Sequence, residues 1–144
     1  TDAFVVLTLP SFSESLRKQT FGKVYTIDIG LSNLLSFALE KEVGRLLETV
    51  VFLELKRREY KIFYYKNGCE CDFLVKEKDK ITHAIQVCVD LHEENRSREI
   101  GGLQKVMKRF HLKNGLLITK DQEGKEGNIT LIPAWKWLLQ TELF

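Results

Sequence analysis

Lys61-Ile62-Phe63-Tyr64-Tyr65-Lys66-Asn67-Gly68-Cys69-Glu70-Cys71-Asp72-Phe73-Leu74-Val75 is the stretch whose reading decides the fold. Two runs rich in aromatic and β-branched residues flank Asn67-Gly68, a dipeptide suited to the positive φ angles of a two-residue hairpin turn. The stretch therefore predicts strands over 61–66 and 69–75, antiparallel to each other. Lys76 to Lys80 reads as a charged turn, and Ile81 to Val89 as a third strand. In that strand Ile81, His83, Ile85, Val87 and Val89 share one face, and Ala84, Gln86, Cys88 and Asp90 the other.

Upstream of the hairpin the period lengthens. From about 31 to 59, Val43, Leu46, Leu47, Val50, Val51 and Leu55 recur at three and four residues, which predicts a helix. Lys56, Arg57 and Arg58 near its end suit the negative pole of the helix dipole. Downstream, Asn95 or Ser97 caps a second helix running to about His111, with Ile100, Leu103, Val106, Met107 and Phe110 as its apolar face. Leu116 to Thr119 is a short buried strand, 121–127 a polar turn, and Asn128 to Ile132 a last strand. Pro133 then opens a short helix, Ala134 to Leu139. Helices interleaved with strands predict an α/β domain, a mixed central sheet flanked by helices.

The first 22 residues read differently. Ala3 to Leu9 is a short strand stopped by Pro10, and Ser11 to Gly22 is polar, so both are expected to lack partners of their own. Lys23 to Ile29 is a further extended run. A chain that opens at Thr1 and has its sole methionine at Met107 reads as a fragment or processed product. The expected division is a tail or linker of an upstream module over 1–22 and one domain over 23–144.

With 44% hydrophobic and 29% charged residues the chain is globular, not disordered. Its apolar runs are too short for a membrane span, and no signal peptide is expected. A net charge of +2 neither demands nor excludes a nucleic acid. Three cysteines, Cys69, Cys71 and Cys88, form no disulfide framework and suit a reducing, cytoplasmic setting.

Two acidic positions stand out. Glu48 lies among Leu47, Val50 and Val51 at the edge of the first helix's apolar face, and Asp72 lies between Cys71 and Phe73 in an otherwise apolar strand. A charge in such surroundings needs a partner. Glu70 and Asp72 point to the same strand face. A helix carboxylate facing a strand carboxylate is a way to hold Mg²⁺, which takes oxygen ligands and can activate water beside a phosphate. Glu54, nearer the middle of the helix's apolar face, is a rival to Glu48. The plainer readings are a helix-surface role for Glu48, a solvated hairpin position for Glu70, and for Glu54 a pair with a buried arginine or a cap on a backbone group. For Cys88 a core role outweighs a nucleophilic one, because no histidine is tied to it by spacing.

Gly44-x-x-x-Glu48, a hairpin carrying Asp72, and a strand with a central polar pair resemble the PD-(D/E)XK nuclease superfamily, which includes archaeal Holliday-junction resolvases. A closer resemblance is to a family of unknown function at the C-terminus of bacterial and archaeal AAA-type ATPases. It rests on 24–31, 47–51, 70–75 and 132–139, and covers most of the chain from Lys23 onward. The resemblance implies a restriction-endonuclease-like core, with Glu48, Asp72 and Gln86 as catalytic and metal-binding positions for Mg²⁺ or Mn²⁺. It also implies an upstream winged-helix and ATPase module as partner in the same chain, although no Gly-x-x-x-x-Gly-Lys-Ser/Thr stands in these residues.

In the superfamily the third strand carries Glu-x-Lys; here Gln86 and Cys88 stand at those places. One anionic ligand and one ammonium are missing, which weakens metal binding and transition-state support together. Lys113 or Lys120 is the substitute the sequence offers. Arg96, Arg98 and Lys120 are candidate phosphate contacts, with a solvated helix start as the plainer account of the arginines. The expectation is a nuclease-like accessory domain of an ATPase, catalytically impaired, that binds DNA or a partner protein. The alternatives are an active Mg²⁺-dependent endonuclease and a pure protein-binding module. The sequence sets no oligomeric state.

Overall fold

Gly68 takes φ 70° and the strands on either side of it pair antiparallel, as the Asn67-Gly68 signal predicts, but Lys66 pairs with Glu70, so the connection is three residues long, Asn67 to Cys69, and not a two-residue turn. The computed structural model describes residues 6–12, 22–26 and 39–143. In chain order its elements are β1 (Val6–Leu9), β2 (Lys23–Thr26), α1 (Leu39–Arg57), β3 (Lys61–Lys66), β4 (Glu70–Glu77) and β5 (Lys80–Val87). They continue with α2 (Glu93–Arg109), β6 (Gly115–Thr119), β7 (Gly124–Glu126), β8 (Ile129–Pro133) and α3 (Ala134–Leu138). The sequence readings over 1–5, 13–21 and 27–38 lie outside the described residues.

Six strands form one mixed sheet in the order β3-β4-β5-β6-β8-β7. β3, β4 and β5 meander antiparallel; β5, β6 and β8 run parallel; β7 returns antiparallel at the far edge. α2 makes the crossover between the parallel neighbours β5 and β6. Val51, Phe52 and Leu55 of α1, with Trp137 of α3, pack on one face against Phe73, Ile85 and Ile118. Ile100, Leu103 and Val106 of α2 pack on the other against Cys71, Leu74 and Leu117. The predicted mixed sheet flanked by helices is therefore present.

Two bulges decide which side chains face which helix. Phe63 pairs with Leu74 but Tyr65 pairs with Cys71, so Tyr64 stands opposite both Asp72 and Phe73. That extra residue turns Asp72 and Phe73 together toward the α1 side, while Cys71 and Leu74 face α2. In β5, Val75 pairs with His83 but Lys76 pairs with Ile81. The spare residue, Thr82, sends Ile81 to the α2 side, away from Ile85, which corrects the simple alternation expected from sequence.

The described part of the N-terminal stretch does have partners. β1 pairs with β2 over four positions, and Ser11 bridges Tyr64 of edge strand β3 in parallel. Leu9, 1% exposed, belongs to the α1 core, and Phe12 meets Phe63 and Phe110 edge-on. Among the described residues no helix is long and apolar enough to cross a membrane.

Candidate functional site

α1 brings Glu48, and the bulged start of β4 brings Glu70 and Asp72, to one place. Between them lies an ammonium from β2. Lys23 Nζ donates to Glu48 Oε1 at 2.9 Å and to Asp72 Oδ1 at 2.7 Å, and stands 3.8 Å from Glu70 Oε1. It also sits 4.5 Å from the centre of the Tyr64 ring. Glu48 and Asp72, 24 residues apart in sequence, thus converge on one cation.

Two phenols complete the surround. Tyr25 OH donates to Glu48 Oε1 at 2.5 Å, and Tyr64 OH donates to Glu70 Oε1 at 2.5 Å. The Tyr25 ring is stacked on Phe52, centroids 4.1 Å apart, which fixes the hydroxyl against α1. Burial, then the charge of Glu48, raises the Tyr25 pKa; burial, then the hydrogen bond to Glu70, raises that of Tyr64. Both remain protonated donors.

Asp72 is buried, and Val87 N–H donates to its Oδ2 at 2.9 Å. Burial first, and then the charge of Glu48, push its pKa up to about 6, against the opposing pull of Lys23. Burial alone would lower the Lys23 pKa, but the charges of Asp72 and Glu48 outweigh it and raise the value. One ammonium therefore serves two carboxylates, and a proton is the natural partner for the second.

Gln86 lines the cleft that opens over this group, but its amide is engaged by other partners. Its Oε1 accepts from the backbone N–H of Asp72 at 3.1 Å, and its Nε2 donates to Glu99 Oε2 at 2.8 Å. Glu99, 5% exposed, is held in turn by Arg98 Nε and Nη2 at 2.8 and 2.6 Å. The amide thus braces the Asp72 backbone against α2, with its oxygen already engaged. Among the described residues no three or more His, Cys, Asp and Glu side chains are arranged to hold a metal ion. With Lys23 in place, Glu48, Asp72 and Gln86 do not fit one: the ammonium stands where the cation would.

Arg98 lines the cleft of about 540 Å³ that opens over Glu48, Glu70 and Asp72, together with Arg45 and Lys105. Arg96 pairs instead with Glu126 on β7, and Lys120 with Asp121, both outside that cleft. The ammonium beside these carboxylates is that of Lys23; Lys113 lines a different cleft and Lys120 pairs with Asp121. Glu54 takes the plainer reading: Arg57 and Arg58 bind it, and the Arg57 hydrogen bond leads in lowering its pKa to about 2. Cys88 has its thiol pushed up to about 11 by burial, so it is a protonated group packed by Asp90 and Asn95. The second helix starts at Glu93; Asn95 acts inside its first turn, where Oδ1 accepts from His92 N–H at 2.9 Å.

A profile described as a domain of unknown function, DUF4143, matches residues 43–137. An uncharacterised protein of Methanocaldococcus jannaschii is 38% identical over 154 residues, which cover 96% of this chain and 34% of that protein. The chain thus spans about a third of the length of the curated relative it matches. No solved structure matches.

Proposed function

The chain belongs to the DUF4143 family of domains of unknown function, and from that footing we propose that it is a nuclease-like accessory domain of an AAA-type ATPase whose centre is closed by its own lysine, so that it binds rather than cuts. The observation that carries this is Lys23 Nζ at 2.9 and 2.7 Å from the two converging carboxylates. A restriction-endonuclease-like centre works through a divalent cation that activates water and offsets phosphate charge. Here an ammonium already lies between the two carboxylates, and a Mg²⁺ or Mn²⁺ ion would have to displace it. Gln86, the third expected ligand, bridges Asp72 to Glu99 instead. The upstream ATPase module of the same chain is the partner this reading implies.

Incubation with single-stranded and branched DNA plus Mg²⁺ or Mn²⁺ tests the idea. The chain should leave both substrates intact, while Lys23→Met should gain Mn²⁺ binding in an electron paramagnetic resonance titration. Cleavage that Asp72→Ala abolishes would overturn it.

One observation favours the alternative, an active Mg²⁺-dependent endonuclease. Lys23 supplies from β2 the ammonium that β5 lacks at Cys88. On that reading Lys23→Met destroys an existing activity, whereas on the first there is none to lose.

A further inference from the structure

A second cleft lies at the opposite end of β5 and α2. The acidic cluster sits at Gln86–Val87 of β5, about 20 Å along the strand from Lys80. Around Lys80 opens a cleft of about 730 Å³, within the roughly 300–1,000 Å³ of ligand-sized sites. Its polar lining is Lys80, Thr82 and His83 on one wall and Arg109, His111, Lys113 and Asn114 on the other. Among the described residues no carboxylate lines it; Glu77, the last residue of β4, is an acidic group whose charge acts on His83.

The charge here is concentrated rather than average. From Ile100 to Lys120 there is no Asp or Glu, but five Lys and Arg and one His, of which Arg109, His111 and Lys113 line this cleft and Lys105 lines the other. The rest of the chain taken alone is net negative, since the whole carries only +2. The carboxyl end of α2 adds about half a negative charge. The two exposed lysines of the lining, Lys80 and Lys113, outweigh it.

The backbone adds an independent observation. α2 ends in a pair of bonds, Leu112 N–H to Met107 O at 2.8 Å and His111 N–H to Lys108 O at 3.4 Å. This closure places His111 at φ 55°, where glycine or asparagine is the unstrained choice. A histidine at that position adds an imidazole to the cleft at a steric cost. Between the cationic walls the floor is apolar: Ile81, Phe110 and Leu112, all half-buried.

We propose that this basic cleft binds single-stranded nucleic acid, with phosphates along the Lys80 and Arg109–Lys113 walls and a base against the Phe110–Leu112 floor. Cations flanking an apolar, partly aromatic surface suit a strand whose charges and base faces alternate. The inference supplies the partner for the binding role proposed above, but it does not require the acidic centre to be inert.

Fluorescence anisotropy with a labelled oligothymidylate tests it. Affinity should fall with salt on a log–log plot by about 0.7 per phosphate contacted. Lys80→Gln with Lys113→Gln should flatten that slope by about 1.4 and weaken low-salt binding roughly tenfold. Both lysines are exposed, so circular dichroism should be unchanged. Lys56→Gln with Lys66→Gln, an equal charge loss outside the cleft, should leave binding as it was. No binding at low salt, or equal loss in both double variants, overturns the proposal. So does a polyglutamate peptide that binds more tightly than the oligonucleotide, which would assign the cleft to an acidic protein. An oligonucleotide bound through Lys80 and Lys113 yet cut in Mn²⁺ would sink the closed-centre reading and leave this one standing.

Discussion

Burial, and then the neighbouring charge of Glu48, make Asp72 take up a proton more readily than an isolated carboxylate does, against the opposing pull of Lys23. The folded Asp72 has its pKa raised from 3.8 to about 6, so between these limits the native state holds a proton that the unfolded chain has released. Unfolding then releases protons, and stability falls as pH rises through that window. Asp72→Asn should abolish this fall, read as the difference in urea midpoint between about pH 4 and pH 7; an unchanged difference would show that Asp72 does not titrate there. Glu54 contributes with the opposite sign: its stabilisation is present above the ordinary glutamate pKa and lost as pH falls toward about 2. Tyr25→Phe keeps the ring on Phe52 but removes the donor to Glu48, and should cost about 1.5–3 kcal/mol in urea denaturation. At this scale Glu48 and Asp72 were legible, because a charge amid apolar neighbours announces a partner. Lys23 was not. It stands 25 and 49 residues from its two acids, and an ordinary lysine at the start of an ordinary strand carries no local sign of where it will dock.

The hairpin of β1 and β2 determines whether Lys23 reaches the acids at all. The two strands join so closely that a β-carbon on Gly22 would lie 1.6 Å from the carbonyl oxygen of Leu9. Gly22→Ala must therefore push β2 away, at about 1–3 kcal/mol for an overpacked site. Lys23 holds the Asp72 pKa down, so its withdrawal should also move the inflection in the stability–pH curve above about 6. A loss of stability with the inflection in place would mean that the strain is absorbed elsewhere. Most elements were readable from period and turn chemistry: the β3–β4 hairpin, the two long helices, and the short buried strands. β7 was read as a polar turn, because Gly124-Lys125-Glu126 has no apolar alternation. It is a strand only because β8 offers it an edge. The two bulges were also invisible, since each is set by the register of a partner strand rather than by its own residues.

Across the whole molecule, the sheet has β3 as one edge, and that edge is partly covered. Tyr64 N–H donates to Pro10 O at 2.9 Å, and Phe12 N–H to Tyr64 O at 2.7 Å. An uncovered edge strand presents open hydrogen-bonding groups to other chains. The boundary that composition suggests, between 22 and 23, would cut these bonds away together with Leu9. A chain beginning at Lys23 should lose about 2–5 kcal/mol from the vacated Leu9 site alone, if that site cannot collapse. It should also free Lys23 from its antiparallel partner Leu9, loosening the ammonium's hold on the acids. The expected outcome is a lowered melting temperature and concentration-dependent self-association through β3 on size exclusion. A truncated chain that stays monomeric and melts with the full one would instead make residues 1–22 a dispensable tail. The closed centre would then have to be explained by β2 alone.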